Sequence, residues 1–400
     1  MLKVWIEQNP VGAIARNSRE LNDYDFAYQQ EINAGQEVSL TMPHCLESYP
    51  FQRDLHPIFQ MNLPEGRLRE SLERDFRKHT QNFDDLKLLE VVGRSQIGRL
   101  RFANDVPDIA SVPWQSVAEL IAYDGTEDLL RDLLARFAGY SGVSGVQPKV
   151  LIKDADVAKP STAQERVTVK GATHIVKGWD ERDYPELAAN EFFCMQVAKR
   201  AGLLVPHVAL SENNRFLIVE RFDLSAAGEY LGFEDFCVLN GLSTHEKYQG
   251  SYEKLSKRIA QFVAPEQIGK SLEVFFRSLA VSCAVKNGDA HLKNFGVLYE
   301  ATDKAVTLAP AYDIVTTAPY QDNAMALTLG GSKRFPNAKK LLAFAKLHCN
   351  LQTAKAAQIL EEVADAVADT TPALRLHIKA FSNFKAVGEG MIAAWSERPF

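Results

Sequence analysis

Leu2, Val4 and Ile6 alternate along the opening segment, the two-residue period of a strand with one covered face. Asn9-Pro10 then turns the chain into Val11-Gly12-Ala13-Ile14, and residues 25–28 and 38–41 supply further strands. Residues 51–110 mix a helix at about 68–78 with a strand at 97–102. Pro107 and Pro113 mark 104–114 as a linker before a short helix at about 126–137. From 140 the order is a small-residue loop, a strand at 149–153, a polar hairpin loop over 154–170 and a strand at 174–177. A helix at about 185–201 and a strand at 216–220 follow. Asp183 and Glu186 fit a capping box for that helix, and Gly202 its stop. Beyond 233 helical spacing dominates, at 232–239, 251–262, 268–286 and 354–369, with a small strand pair at 295–299 and 306–308. The pattern predicts an α+β chain. Residues 1–105 are β-rich, 106–222 are mixed, and 223–400 are mostly helical.

Composition narrows the function classes. Four hundred residues exceed what one core usually organises, and 46% hydrophobic with 24% charged residues is ordinary for a soluble globular protein. A net charge of −6 argues against broad nucleic-acid binding by this chain itself, which needs a basic footprint. The five cysteines are scattered without a C-x-x-C, so neither a disulfide framework nor a zinc site is expected, and a reducing, cytoplasmic setting is. The opening segment reads as a strand rather than a signal peptide. The most apolar helical run, 272–285, is interrupted by Arg277 and too short to span a bilayer, so no membrane association is expected.

The chemistry concentrates in Asn287-Gly288-Asp289-Ala290-His291-Leu292-Lys293-Asn294 and Tyr312-Asp313-Ile314. An acid is followed five residues later by an amide, and nineteen residues after that by a second acid. Phosphoryl transfer uses such a set: Asp289 orients a hydroxyl nucleophile, while Asn294 and Asp313 hold Mg²⁺ on ATP phosphates through the oxygen ligands that hard cation prefers. Lys293 either stabilises the transferring phosphoryl or is solvated. His291 is either a catalytic partner or a structural hydrogen-bonding group.

Upstream, Ser141, Gly142, Val143, Ser144 and Gly145 form a loop whose small residues let backbone amides approach a phosphate, although it matches neither G-x-x-x-x-G-K-[ST] nor G-x-G-x-x-G. Lys149 and Lys177 are either phosphate-binding cations or exposed strand residues. Glu191 shares a helix face with Leu187, Cys194, Ala198 and Ala201, so it needs a partner. Either Lys177 pairs with it, as in kinases, or backbone groups satisfy it. Glu220, Arg221 and Phe222 end a strand, either where adenine would meet backbone groups or as a simple strand end with a buried Phe222. The joint order of glycine loop, lysine, helix glutamate, acid–amide and acid is far more specific than any one piece.

This ordered set resembles the HipA-like serine/threonine kinases, toxins of bacterial toxin–antitoxin systems. The resemblance rests on Gly145-Val146-Gln147-Pro148-Lys149, Thr173–Lys177, Asn190-Glu191-Phe192-Phe193, Val219–Asp223 and the two acidic motifs. Upstream, Asn62-Leu63-Pro64-Glu65-Gly66 and Val91-Val92-Gly93-Arg94 look like the family's N-terminal subdomain. The resemblance implies a bilobal protein-kinase-like (PI3/4-kinase-like) fold, with an N-terminal β-rich subdomain and an α-helical C-terminal lobe. It implies ATP and Mg²⁺, with Asp289 as acid/base, Asn294 and Asp313 as metal ligands and Lys177 on the phosphates. It implies a protein substrate, in some members an aminoacyl-tRNA synthetase, and a HipB-like helix-turn-helix antitoxin through which DNA is bound only indirectly. Family members autophosphorylate a glycine-loop serine. One of the family's positions for it is Gly142 here and another is Ser144, which makes Ser144 the candidate and Ser141 the second. Two other readings compete: a small-molecule phosphotransferase on a similar fold, and a non-catalytic scaffold for a DNA-binding antitoxin.

Overall fold

The computed structural model describes residues 1–16, 23–52, 54–77, 83–108, 112–123, 129–144, 147–154, 171–179, 184–320 and 324–396. The chain divides into two compact units. The first comprises Met1–Gly178, Ser211–Thr244 and Leu298–Val306, and the second comprises Trp179–Leu210, His245–Val297 and Thr307–Phe400.

The first unit opens with β1 (Leu2–Ile6), β2 (Asn9–Arg16), β3 (Tyr24–Tyr28) and β4 (Tyr49–Phe51). Helices α1 (Pro57–Gln60), α2 (Gly66–Arg77) and α3 (Asp85–Val92) follow, then β5 (Leu100–Phe102). These strands form an antiparallel sheet in the order β4-β3-β2-β1-β5. The alternation of Leu2, Val4 and Ile6 is interrupted by Trp5, which is also buried. A register shift between Val4 and Trp5 accommodates the ring, and its Nε1 donates to Ala103 O at 2.9 Å. Residues 38–41 do not form the expected strand. Only an isolated bridge, Ser39 to Met42, remains, because Ser39 Oγ and Leu40 N donate instead to the buried Glu234 carboxylate at 2.6 and 2.8 Å. The strand expected at 97–102 is confined to β5, since Gly98 N donates to Asp223 Oδ2 at 2.6 Å rather than to a neighbouring strand.

Next come β6 (Trp114–Gln115), α4 (Val117–Ile121), α5 (Leu129–Phe137), β7 (Lys149–Asp154) and β8 (His174–Lys177). The polar stretch 155–170 and Asp183 lie outside the described residues. The chain then enters the second unit with α6 (Leu187–Arg200) and β9 (Val208–Leu210), and returns with β10 (Leu217–Glu220), β11 (Gly232–Asp235) and α7 (Phe236–Leu239). In the first unit β6 runs parallel to β7, and β7, β8 and β10 are successive antiparallel neighbours. Residues 232–239 are not one helix. Asp235 caps a shorter one by accepting from Val238 N at 2.9 Å, so the four residues before α7 stay extended. Helix α6 begins at Leu187, and Glu186, at φ +58°, makes no side-chain cap. Gly202 stops the helix at φ +81° as expected.

The second unit continues with α8 (Tyr252–Phe262), capped by Ser251, and α9 (Ile268–Ala284). After β12 (Gly296–Tyr299) and β13 (Thr307–Leu308) come α10 (Ala338–His348), α11 (Thr353–Ala380) and α12 (Lys385–Ser396). Helix α11 packs on α6, α9, α10 and α12, and the C-terminal half of α9 is buried throughout. The expected stop at 369 is overridden, and α11 continues past Pro372. Arg200 of α6 donates to Asp369 O at 2.7 Å, and the Thr370 and Thr371 hydroxyls donate back to Ala366 O and Val367 O. Tertiary contacts thus hold a segment whose local sequence reads as a break.

Candidate functional site

In the second unit, α9 delivers the loop 285–294 and its capping bonds shape it. Asn287 N donates to Ser282 O at 2.7 Å, and Asn287 Oδ1 accepts from Asp289 N at 3.0 Å, an Asx turn that aims Asp289 outward. Gly288 N donates to Thr317 Oγ1 at 2.8 Å. A Cβ at Gly288 would lie 2.4 Å from Ala324 O and 2.7 Å from Thr317 Oγ1, so only glycine permits this approach. Tyr252 OH, from the buried start of α8, donates to Ala290 O at 2.9 Å. A 3₁₀ turn, Leu292–Asn294, then presents the amide.

Asp289 has a 43% exposed side chain and accepts from Tyr248 OH at 2.8 Å. His291 is buried, with Nε2 3.9 Å from Asp289 Oδ1 and its ring edge-on to Tyr248 at 5.0 Å. Lys293 is half-buried, and its carbonyl accepts from Tyr312 OH at 2.7 Å.

Asp313 lies beyond β13 in an irregular segment. Its φ is +56°, a strained conformation for a non-glycine residue, of the kind that surrounding contacts must enforce. Ala309 N donates to Gly296 O at 2.9 Å and Ala311 N to Leu204 O at 2.8 Å on the approach. Beyond it, Asn190 of α6 clamps Thr316: Oδ1 accepts from Thr316 N at 2.8 Å and Nδ2 donates to Thr316 O at 2.9 Å. Trp395 of α12 donates to Thr316 Oγ1 at 2.9 Å.

Asn294 Nδ2 reaches toward Asp313 O at 3.5 Å, while Asn294 Oδ1 is buried without a hydrogen-bond partner. Both residues line a recess of about 410 Å³, counting space open to solvent, with Ser278 and Ser282 of α9, Asn287 and Tyr312. An amide oxygen without a partner and a carboxylate on residues lining one recess are oxygen donors of the kind a hard cation takes. Asp289, His291 and Lys293 do not line that recess. Glu191 of α6 is buried at 2% exposure, as its helix face required.

In the first unit Ser141 is fully buried. Its Oγ donates to Phe137 O at 2.7 Å and accepts from Leu151 N at 2.9 Å. Gly142 N donates to Ser95 O at 2.8 Å, and its carbonyl accepts from Ile97 N. A Cβ there would lie 2.4 Å from Gln96 Cβ, which explains why a serine has no room at this position. Val143 is buried, and Ser144 Oγ donates to Glu65 Oε1 at 2.6 Å. Gly145 and Val146 lie outside the described residues.

Lys149 and Lys177 are not exposed strand residues: each is 5% exposed, and they are directly opposed register partners on β7 and β8. Cross-strand partners point to one face of the sheet, so the two lysines share that face. Glu220 is exposed, and Phe222 is half-buried against Phe233. The Arg221 side chain is wholly buried, donating to both Asp223 oxygens at 2.9 and 2.5 Å and to Gln96 O at 2.9 Å. Burial pushes the Asp223 carboxyl up, but the Arg221 charge and hydrogen bonds, with the Gly98 amide, outweigh it and hold the group below the usual carboxylate range.

Sequence reasoning missed Tyr248, Thr316, Thr317 and Trp395. Each is tied to its hydrogen-bond partner across 29 to 126 residues and has no local period to mark it. Asn190 appeared only inside a motif.

A mixed α/β chain that carries an acid–histidine–lysine–amide loop and a strained second carboxylate defines a class, and the sequence comparisons specify it. The HipA N-terminal domain matches residues 2–103, and the HipA-like C-terminal domain matches residues 141–371. The chain belongs to the HipA-like family. Protein Y4mE of Sinorhizobium fredii, described as a candidate kinase, is 28% identical over 360 residues, covering 82% of this chain and 81% of its own length. The serine/threonine-protein kinase toxin HipA of Shewanella oneidensis is 29% identical over 263 residues, covering 57% of this chain and 56% of its own. The solved Shewanella oneidensis complex of HipA, HipB and operator DNA shares the fold, with a TM-score of 0.68 at 19% identity, covering 100% of this chain and 96% of that one. Among the described residues no helix is long and apolar enough to cross a membrane.

Proposed function

We propose that this chain is an ATP-dependent protein serine/threonine kinase, the toxin of a HipA-type toxin–antitoxin pair, on a bilobal kinase-like fold. The observation that carries the reading is the buried, unpartnered Oδ1 of Asn294 sharing a recess with Asp313. Such an oxygen costs about 1–3 kcal/mol if left unsatisfied, which a bound Mg²⁺ offsets. Mg²⁺ bound there neutralises charge on the ATP phosphates. Asn294 and Asp313 hold the cation, Asp289 orients the acceptor hydroxyl and takes its proton, and Lys293 faces the negative charge of the transferring group. His291 supports Asp289 from its buried position. Lys149 and Lys177 bind phosphate. As register partners on one face of the sheet, both can reach a single polyphosphate. Backbone groups of Glu220 to Phe222 meet the adenine.

Ser144 is the autophosphorylation site. Its hydroxyl is half-buried, whereas that of Ser141 bridges two buried backbone groups. The partner is a HipB-like antitoxin that carries the DNA contact, in keeping with a chain of net charge −6. The substrate is a cellular protein, of which an aminoacyl-tRNA synthetase is the first to test.

Intact mass after incubation with Mg-ATP tests this. One added phosphate on Ser144, absent from Asp289→Ala, is expected. No phosphate on either protein and no ATP binding would overturn the reading in favour of a scaffold.

A further inference from the structure

We propose that Tyr248 is a positioning residue for phosphoryl transfer: its phenol fixes the rotation of the Asp289 carboxylate toward the acceptor hydroxyl. The inference rests on the kinase reading of Asp289.

An aspartate carboxylate turns easily about its last bond, because that torsion is broad and roughly two-fold. Asp289 is 43% exposed, so packing does not lock it. The 2.8 Å hydrogen bond that Tyr248 OH donates to its Oδ1 restrains that rotation, with His291 Nε2 3.9 Å from the same oxygen. Tyr248 is itself held. Leu292 N donates to Lys247 O at 3.1 Å, tying the turn before Tyr248 to the loop that carries Asp289, and the buried His291 ring meets the phenol edge-on at 5.0 Å.

A structural explanation is weaker for Tyr248 than for its neighbour. Tyr252, four residues on, is fully buried, and its hydroxyl holds a loop backbone carbonyl. Tyr248 is 44% exposed and spends its hydroxyl on the side chain that contacts the acceptor. An exposed phenol–carboxylate bond contributes little to folding, because water competes for both partners. It contributes more to a reaction in which a misplacement of about 1 Å costs on the order of 100-fold in rate.

The test uses the full-length protein with Mg-ATP, measuring initial phosphate transfer to myelin basic protein, together with ATP KM and melting temperature. Tyr248→Phe is expected to lower kcat about 10- to 100-fold, with ATP KM and melting temperature unchanged. A Tyr248→Phe rate equal to wild type overturns the proposal alone. A fall in melting temperature or a rise in ATP KM overturns it in favour of a purely structural tyrosine. A faster variant overturns it too, and means that the phenol occupies the acceptor's seat. Wild type that transfers no phosphate overturns the kinase reading and this inference together.

Discussion

The Ser144 hydroxyl donates to Glu65 Oε1 at 2.6 Å, so the accessible loop serine already faces a carboxylate. A phosphate on Ser144 adds about two negative charges beside Glu65. The contact then turns from attraction to repulsion, and the loop must leave its place. Hydrogen–deuterium exchange over residues 138–144 is expected to rise on phosphorylation of wild type and to rise much less in Glu65→Gln. Ser144→Ala should take up no phosphate. Ser141→Ala should still be modified but lose about 1–3 kcal/mol of stability, having lost the bridge between Phe137 O and Leu151 N.

Lys149 and Lys177 face one another across β7 and β8 and are both buried. Tripolyphosphate is therefore expected to raise the melting temperature of wild type. The double variant Lys149→Met/Lys177→Met should show no such rise and should bind ATP at least about tenfold more weakly, by isothermal titration.

Thr316 is held by Asn190 through both backbone groups and by Trp395 through its hydroxyl, three residues after the strained Asp313. Trp395→Phe keeps the ring packing and removes the donor. The Mg²⁺ concentration for half-maximal activity is expected to rise a few-fold, with little change in melting temperature. Asn190→Ala leaves two buried backbone groups unsatisfied and should cost about 2–5 kcal/mol by urea denaturation.

His56 gives the fold an acid limit. Burial between Phe51 and Phe59 lowers its pKa to about 4, and its Nδ1 has no hydrogen-bond partner. The folded value lies below the unfolded one of 6.5, so the folded state favours the neutral ring. The stability this provides is complete above about pH 6.5 and is lost as pH falls from there to about 4. Up to about 3 kcal/mol is expected to disappear over that window. His56→Gln should flatten the dependence, measured as urea midpoints between pH 7 and pH 4.5.

The strands of the first sheet and most helices were legible because burial alternates with the right period, as at Leu2, Val4 and Ile6 or along α9. The acid–amide–acid order was legible because it is local sequence. What the sequence hid was set by distant partners. Glu234 drew residues 39 and 40 out of a strand, Asp235 shortened a helix, and Arg200 carried α11 past Pro372. Tyr248 was invisible for the same reason, being forty-one residues from Asp289.

The first unit takes its last piece, Leu298–Val306, from three-quarters of the way along the chain. Within it, Tyr299 closes on Glu234 at 2.6 Å, and Arg99 donates to Gly35 O and Glu300 O. During synthesis that unit stays open until residue 306 has left the ribosome, whatever the strands before it have already formed. A fragment released before residue 306 therefore has neither unit complete, so nothing short of three-quarters of the chain can assemble either half of the molecule.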